Sequence, residues 1–164
     1  GETFADLEAK GITNLSILCD VAIKSGQSSV DWLRVAAEAG DPYAMYSYYE
    51  ASLNMLAQNP ALALRSPELV MQFRSDSERF LRASLASGNV LALREIARFF
   101  EDGHYVAPNR VAAAAYLRAL ERTGQYRPAS LIAGSIEASM SAEDLQTVQV
   151  LAGQIYGACC VPKG

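Results

Sequence analysis

Few side chains in this sequence have the type and spacing that catalysis requires. His104 is the only histidine, and no cysteine or second histidine stands near it in the chain to complete a transition-metal site. It also lacks the serine or cysteine context of a catalytic triad. The acidic pairs Glu101-Asp102 and Glu143-Asp144 are adjacent, so their members point in different directions on a helix. The sequence therefore predicts no catalytic residue, no metal site and no cofactor, and a protein that is not an enzyme.

Tyrosine and arginine side chains offer a different chemistry, the recognition of a protein or peptide. Both residue types are enriched at binding hot spots, and arginine can hold a carboxylate through two hydrogen bonds. Positions three, six and ten residues after three regularly placed glycines supply the candidate partner-binding residues, which are Tyr43, Tyr46, Arg94, Arg98 and Arg127. The alternative for Tyr43 and Tyr46 is an aromatic-rich core helix, to which Tyr48 and Tyr49 are expected to belong. If the ligand is an acidic peptide, reversing the charges of Arg94 and Arg98 should abolish binding and leave stability nearly unchanged, as at other exposed positions.

A repeated pattern determines which elements must position these side chains. An aromatic residue is followed by Leu, Arg and a small or apolar residue, and then by Gly eight positions after the aromatic. The three copies are Trp32-Leu33-Arg34-Val35 with Gly40, Phe80-Leu81-Arg82-Ala83 with Gly88, and Tyr116-Leu117-Arg118-Ala119 with Gly124. A period of tens of residues is typical of stacked repeat arrays, in which the first helix of each hairpin lines the inner, concave side.

Breaker residues divide the chain into helical segments joined by short connections, which favours antiparallel hairpins. The predicted helices are 13–25, 28–39, 42–57, 67–87, 89–101, 109–123, 126–140 and 141–157. Within each repeat we expect the aromatic to be buried, the Gly to end the helix, and Ala44 and Ala92 to let the next helix approach closely. The third repeat slips, because Pro128 holds that place and Ala129 comes one residue later. Ser141 and Ser66 are predicted helix starts.

The segment 97–119 resembles the Sel-one-like repeat, a subgroup of the tetratricopeptide-like α/α repeats. The residues at matching places are Phe100, Gly103, Val106, Ala113, Tyr116 and Gly124. The resemblance implies an all-α fold in which about four hairpins form a right-handed α/α solenoid over a single domain, 1–164. It also implies a protein-interaction scaffold, and it carries over no catalytic residue. The chain departs from the family pattern at Tyr105 and Asn109.

Extra residues separate the first two glycines of the repeat. Gly40 and Gly88 are 48 residues apart, whereas Gly88 and Gly124 are 36 apart. We place the insertion near 54–66, as a longer loop with a helical turn or as an extension of the next helix. Insertions in repeat arrays often decorate a binding face, and the alternative is a packing spacer.

Composition and charge narrow the classes of partner. The net charge of −4 argues against general affinity for nucleic acid, and no apolar run reaches the roughly 18–20 residues that a membrane span needs. Oligomers are possible, because the ends of an array expose apolar faces unless a helix caps them. Leu145, Val148, Leu151, Ala152 and Ile155 would give the last helix such a capping face.

The cysteines and the first residue bear on the compartment. A chain that begins with Gly1 predicts a removed upstream segment, either a signal peptide or a disordered tail or another domain. One interpretation of the three cysteines is a buried free Cys19 with two free tail thiols. The other is a vicinal disulfide or an intermolecular bridge at Cys159 and Cys160, and a Cys19–Cys159 bond is not expected. The expected location is periplasmic or secreted, with the cytoplasm as the alternative.

Three hypotheses for the function follow from these observations. The first is a non-enzymatic bacterial scaffold that binds a protein or peptide through its concave face. The second is a cell-envelope or secreted factor that binds cell-wall material or assists a cell-wall enzyme. The third is an enzyme whose site the sequence does not show.

Overall fold

The structure, a computed structural model, describes residues 28–161. All regular secondary structure in this range is α-helical, which confirms the predicted all-α class for these residues. The helices are α1 Ser29–Glu38, α2 Pro42–Gln58, α3 Pro60–Arg65, α4 Pro67–Ala86, α5 Ala92–Glu101, α6 Arg110–Thr123, α7 Ala129–Glu137 and α8 Ala142–Cys159. Except for α3, their bounds follow the predicted segments closely, but α5 and α7 each begin three residues late and α7 ends three residues early. The predicted helix 13–25 and Cys19 lie outside the described residues.

Polar side chains begin several of these helices. Ser141 caps α8 reciprocally with Asp144, as predicted, and Ser28 does the same for α1. Asp41 and Asn109 each accept a hydrogen bond from a backbone N–H in the first turn of their helices. Ser66 is the N-cap residue of α4 and Pro67 holds the first helical position, as predicted, although the Ser66 side chain makes no capping hydrogen bond.

The three glycines of the repeat end their helices in the left-handed region of backbone space. Their φ angles are +95° at Gly40, +97° at Gly88 and +69° at Gly124. A residue with a Cβ atom adopts this conformation at a cost of about 1–2 kcal/mol. The repeated glycines therefore lie where the backbone needs a positive φ angle. The predicted helix ends at these glycines are confirmed.

The helices pack as successive antiparallel neighbours. Helix α1 packs on α2, α2 on α4, and α5 on α6, while α4 and α2 both contact α5 and so join the hairpins. Helix α6 also contacts α7 and packs extensively on α8. Ala44 and Ala92, together with Ala129, are buried where each first helix meets its neighbours. The small residues therefore occupy the close contacts that the repeat predicted.

The aromatic residues of the repeat occupy the interior to different degrees. Phe80 is only 1% exposed and meets the Tyr48 ring edge-on, with the ring centroids 5.1 Å apart. Trp32 and Tyr116 are partly buried, and Tyr116 stacks on Phe100 at a centroid distance of 5.8 Å. Tyr48 and Tyr49 are buried core residues, as expected.

The insertion near 54–66 is helical. Helix α2 continues to Gln58, the short α3 follows at once, and α4 begins at Pro67. The extra residues thus form the end of α2 and a six-residue helix, with Pro60 and Pro67 each at a first helical position. The predicted helical turn is present as α3. A helix is also extended, but it is α2, which precedes the insertion, and not α4, which follows it.

The end of the described chain carries a disulfide bond between Cys159 and Cys160. The interpretation of two free tail thiols is therefore wrong, and the vicinal disulfide is observed. Within α8, Val148 and Ala152 are buried and Leu151 and Ile155 are partly buried, whereas Leu145 is exposed. Among residues 28–161 no helix combines the length and apolarity that crossing a membrane requires.

Candidate functional site

Three of the predicted binding residues converge on a buried carboxylate. Glu95, on α5, is only 2% exposed. Arg94 Nη2 lies 2.6 Å from Glu95 Oε1, Arg98 Nη1 lies 3.1 Å from Oε2, and the Tyr46 hydroxyl donates to Oε1 over 3.3 Å. The sequence analysis missed Glu95. The arginines one residue before it and three residues after it were the available signal, since a residue three positions along a helix lies on the same side.

Arg94 and Arg98 are therefore ion-pair partners of the buried Glu95 as well as surface groups. Their side chains are 34% and 37% exposed, and both guanidinium groups face the same buried acid. Removing the partners of a buried charge leaves it uncompensated and is strongly destabilising. We therefore expect the reversal of Arg94 and Arg98 to destabilise the protein, in place of the unchanged stability expected from the sequence.

The surroundings of Arg94 and Tyr46 favour a cationic guanidinium and a neutral phenol. Burial lowers the pKa of Arg94, but hydrogen bonding and attraction to Glu95 outweigh it, so the net pKa is raised and the side chain stays a cation. Burial and the negative charge of Glu95 both raise the pKa of Tyr46, which therefore stays a hydrogen-bond donor. The Arg94 guanidinium also lies over the Tyr126 ring, 5.6 Å from its centroid, which links α5 to the turn before α7.

The other two predicted residues lie apart from the cluster. Tyr43 is 74% exposed at the start of α2, which excludes the core interpretation for this residue. Arg127 is exposed in the turn before α7, and among residues 28–161 it makes no ion pair with Glu95. The structure therefore brings together Tyr46, Arg94 and Arg98 around Glu95, and Arg127 is not part of that cluster.

A shift of one residue in the third repeat explains the position of Arg127. The buried positions at the start of the first helices are Ala44 and Tyr48 in α2, Ala92 and Ile96 in α5, and Ala129 and Ala133 in α7. Pro128 is the N-cap of α7, so the helix begins one residue later than the glycine spacing implies. Leu131 and Ser135 hold the places equivalent to Arg94 and Arg98. Leu131 is 80% exposed. The position equivalent to Arg94 on α7 is therefore apolar, which the spacing from the repeat glycines did not predict.

A cavity of about 500 Å³ lies between α2, the insertion and the loop after α5. Its apolar lining comes from Leu53, Leu56 and Ala57 of α2, Ala63 of α3 and Val70 of α4. Polar groups line the rest, namely Glu50, Asn54, Arg98, Asp102, His104 and Tyr105. The insertion therefore forms part of a concave site, although sequence analysis left a packing spacer open as an alternative.

Hydrogen bonds fix the position of the loop that closes this cavity. The Tyr105 hydroxyl donates to Ser52 Oγ over 2.8 Å, and the Ser52 hydroxyl donates to the Tyr49 carbonyl over 2.8 Å. Burial raises the pKa of Tyr105 to about 12, so its hydroxyl stays protonated as a donor. Tyr105 departs from the Sel-one-like pattern that the sequence resembles, and its hydroxyl connects the loop to α2.

A second cavity, of about 220 Å³, lies between α5, α6 and the start of α7. Ala97, Leu117 and Ile132 provide its apolar lining, and Tyr126 and the α5 side chains Arg94, Arg98 and Glu101 provide the polar part. Arg98 lines both cavities. We call the two cavities together the first-helix groove, because α2, α5 and α7, the first helices of successive hairpins, all contribute to it.

The groove has the features of a recognition site, and nothing in it indicates a metal centre. In the part of the chain that the structure describes, no three His, Cys, Asp or Glu residues are placed to hold a metal ion. His104 is exposed at the rim of the larger cavity. The chain matches no protein-family model, and no curated protein matches it. The function is therefore inferred from the geometry and charge of the groove.

Proposed function

We propose that this protein is a non-enzymatic helical-repeat scaffold that binds an extended peptide segment of a partner protein in the first-helix groove. The observation that carries the proposal is the pair of adjoining cavities, which share Arg98 and are built from first helices. Inner-face binding of this kind is what the resemblance to Sel-one-like repeats implies. A right-handed α/α superhelix built from the observed hairpins is part of the proposal.

The sizes and linings of the cavities favour an elongated ligand. The smaller cavity, at about 220 Å³, falls below the 300–1,000 Å³ typical of small-molecule pockets, whereas the larger one, at about 500 Å³, falls within that range. Two neighbouring cavities of unequal size, each with an apolar lining and polar groups, suit two side chains of one chain better than a single compact molecule. Exposed Tyr43 and Leu131, on α2 and α7, add groups of the kind that anchor protein ligands.

The disulfide supports an exported location for the scaffold. Disulfide bonds persist in oxidising compartments such as the periplasm and the extracellular space, and they are rare in the cytoplasm. The bond between Cys159 and Cys160 therefore favours a periplasmic or secreted protein over a cytoplasmic one. The same bond leaves the cell-envelope factor as a second candidate function. It supports only the location of that candidate, because no feature of the groove selects cell-wall material.

A cavity-filling substitution tests the proposed site. Ala57 is exposed and lines the larger cavity, so Ala57→Trp would fill the site and remove no internal contact. Ala86→Trp makes the same change at an exposed position at the end of α4, outside both cavities. Peptides selected from a random display library on the unaltered protein would be synthesised with a fluorescent label and titrated by anisotropy.

We expect Ala57→Trp to weaken the selected peptides by about tenfold or more, which corresponds to about 1.4 kcal/mol, and Ala86→Trp to have no effect. Thermal melts of both variants would verify that they fold. If the library yields no saturable ligand, or if the selected peptides bind both variants equally well, the proposal is wrong.

A further inference from the structure

The first-helix groove carries more negative than positive charge. Three carboxylates line it, Glu50, Glu101 and Asp102, and a fourth, Glu95, is buried against the two guanidinium groups of the lining, Arg94 and Arg98. Counted with Glu95, the groove has an excess of two formal negative charges when His104 is neutral. The prediction of an acidic ligand rested on the arginines alone, without these four acids.

The excess charge is located at the rim of the groove. Glu95 is buried between the two arginines, and Asp102 accepts a hydrogen bond from the Tyr49 hydroxyl at 3.5 Å and lies 3.9 Å from Arg98 Nε. Glu50 and Glu101 are exposed, and the described residues show no ion pair for either of them. Glu50 borders the larger cavity and Glu101 the smaller one. Each cavity thus has its own exposed carboxylate.

The distance between the cavities limits the spacing of the ligand's side chains. Helix α5 lies between them, and an α-helix with its side chains is about 10–12 Å across. An extended chain advances about 3.3 Å per residue and its side chains alternate between two faces, so two side chains that enter both cavities from one face are about four residues apart.

We propose that the ligand is an extended, basic segment in which two apolar side chains four residues apart fill the cavities and lysine or arginine residues between them pair with Glu50 and Glu101. The inference rests on the proposed function, and it replaces the acidic peptide expected from the sequence. An acidic segment would meet these two carboxylates and would compete with Glu95 for Arg94 and Arg98. A basic segment meets neither obstacle.

Designed peptides test the charge preference directly. The probe is a fluorescein-labelled peptide with two leucines four positions apart and two lysines between them. Its controls have glutamates in place of the lysines, or serines in place of the leucines. Each exposed charge pair contributes modestly, so exchanging both charges, which also places like charges together, should change the affinity by about tenfold. We expect the lysine peptide to bind most tightly, the serine version to lose binding, and added salt to weaken binding.

Reversing one rim charge should alter the preference without altering the fold. Glu101→Lys is expected to weaken the lysine peptide by about fivefold and to strengthen the glutamate peptide. Glu143→Lys makes the same change at an exposed position on α8, outside the groove, and should leave both affinities unchanged. Thermal melts verify that both variants fold.

The outcomes separate this inference from the proposed function. A preference for the glutamate peptide that Ala57→Trp abolishes would overturn the basic ligand and leave the groove as the binding site. Affinities that do not respond to Glu101→Lys would also overturn it. If library selection returns no groove-dependent peptide at all, the proposed function fails, and the charge inference fails with it.

Discussion

The two ends of the described chain fill their interiors with different kinds of side chain. Between α2, α4 and α5 the core is aromatic, built around Tyr48, Tyr49, Phe73, Phe80 and Phe99. Between α5, α6, α7 and α8 it is rich in alanine, with Ala113, Ala114 and Ala115 fully buried beside Ala133 and Val148. Large rings hold helices apart, whereas alanine lets backbones approach closely. The larger cavity lies beside the aromatic end, so the difference in core composition coincides with the difference in cavity size.

The aromatic end also contains polar groups that the alanine end lacks among the described residues. Ser52 and Ser77 are buried there, their hydroxyl oxygens are 3.4 Å apart, and Tyr105 donates to Ser52. At the alanine end the main polar link lies nearer the surface, where Arg118 of α6 bonds Glu137 of α7 and Glu121. Arg118 thus pairs between two helices, while Arg82 pairs with Glu78 within its own helix.

The largest expected effect comes from opening the aromatic core. Phe80→Ala should reduce the free energy of unfolding by about 3–5 kcal/mol, because it removes a fully buried ring and leaves a cavity. Urea denaturation gives the value. Met71→Ala, at a residue that is 71% exposed on the same helix, should cost little and serves as the control. Similar small losses for both variants would mean that the aromatic end is not the main core.

The cluster around Glu95 lies at the junction of the two ends, and disrupting it comes next in size. The double reversal of Arg94→Glu and Arg98→Glu leaves Glu95 buried among like charges, and we expect a loss of about 2–3 kcal/mol after allowance for the partial exposure of both arginines. Adding Glu95→Gln to the double variant should recover part of this loss, since the buried charge is then gone. A double variant that melts like the unaltered protein would show that the pairs contribute nothing to stability.

The smallest effect is expected from overfilling the alanine end. Ala114→Leu forces extra atoms into a position that is 0% exposed, and such changes cost about 1–3 kcal/mol. Ala138→Leu, at an exposed position after α7, is the matched control. A value for Ala114→Leu near that of the control would show that the alanine end has unfilled space, contrary to the contrast between the two cores.

Local sequence signals predicted most of the fold. Helix bounds, the cap at Ser141 and the glycines that end helices depend on a few neighbouring residues, so the sequence contains their causes. The pairing of Arg94 and Arg98 with Glu95 depends on the direction in which α5 faces α2, which is a tertiary property. The displacement of Arg127 arises because proline has no backbone N–H and is too large for a position that elsewhere holds a buried alanine. The cavity beside the insertion depends on how α3 lies against α2, and no local pattern encodes that.

Helix α8 packs on the rest of the described chain through one side. Its residues Val148 and Ala152 are fully buried, and the helix contacts α6 extensively. Gln146, Gln149 and Gln154 are exposed, together with Leu145 and Val150, so the opposite side is mixed and mainly polar. One side of α8 therefore holds the helix in place, and the other keeps it in contact with water.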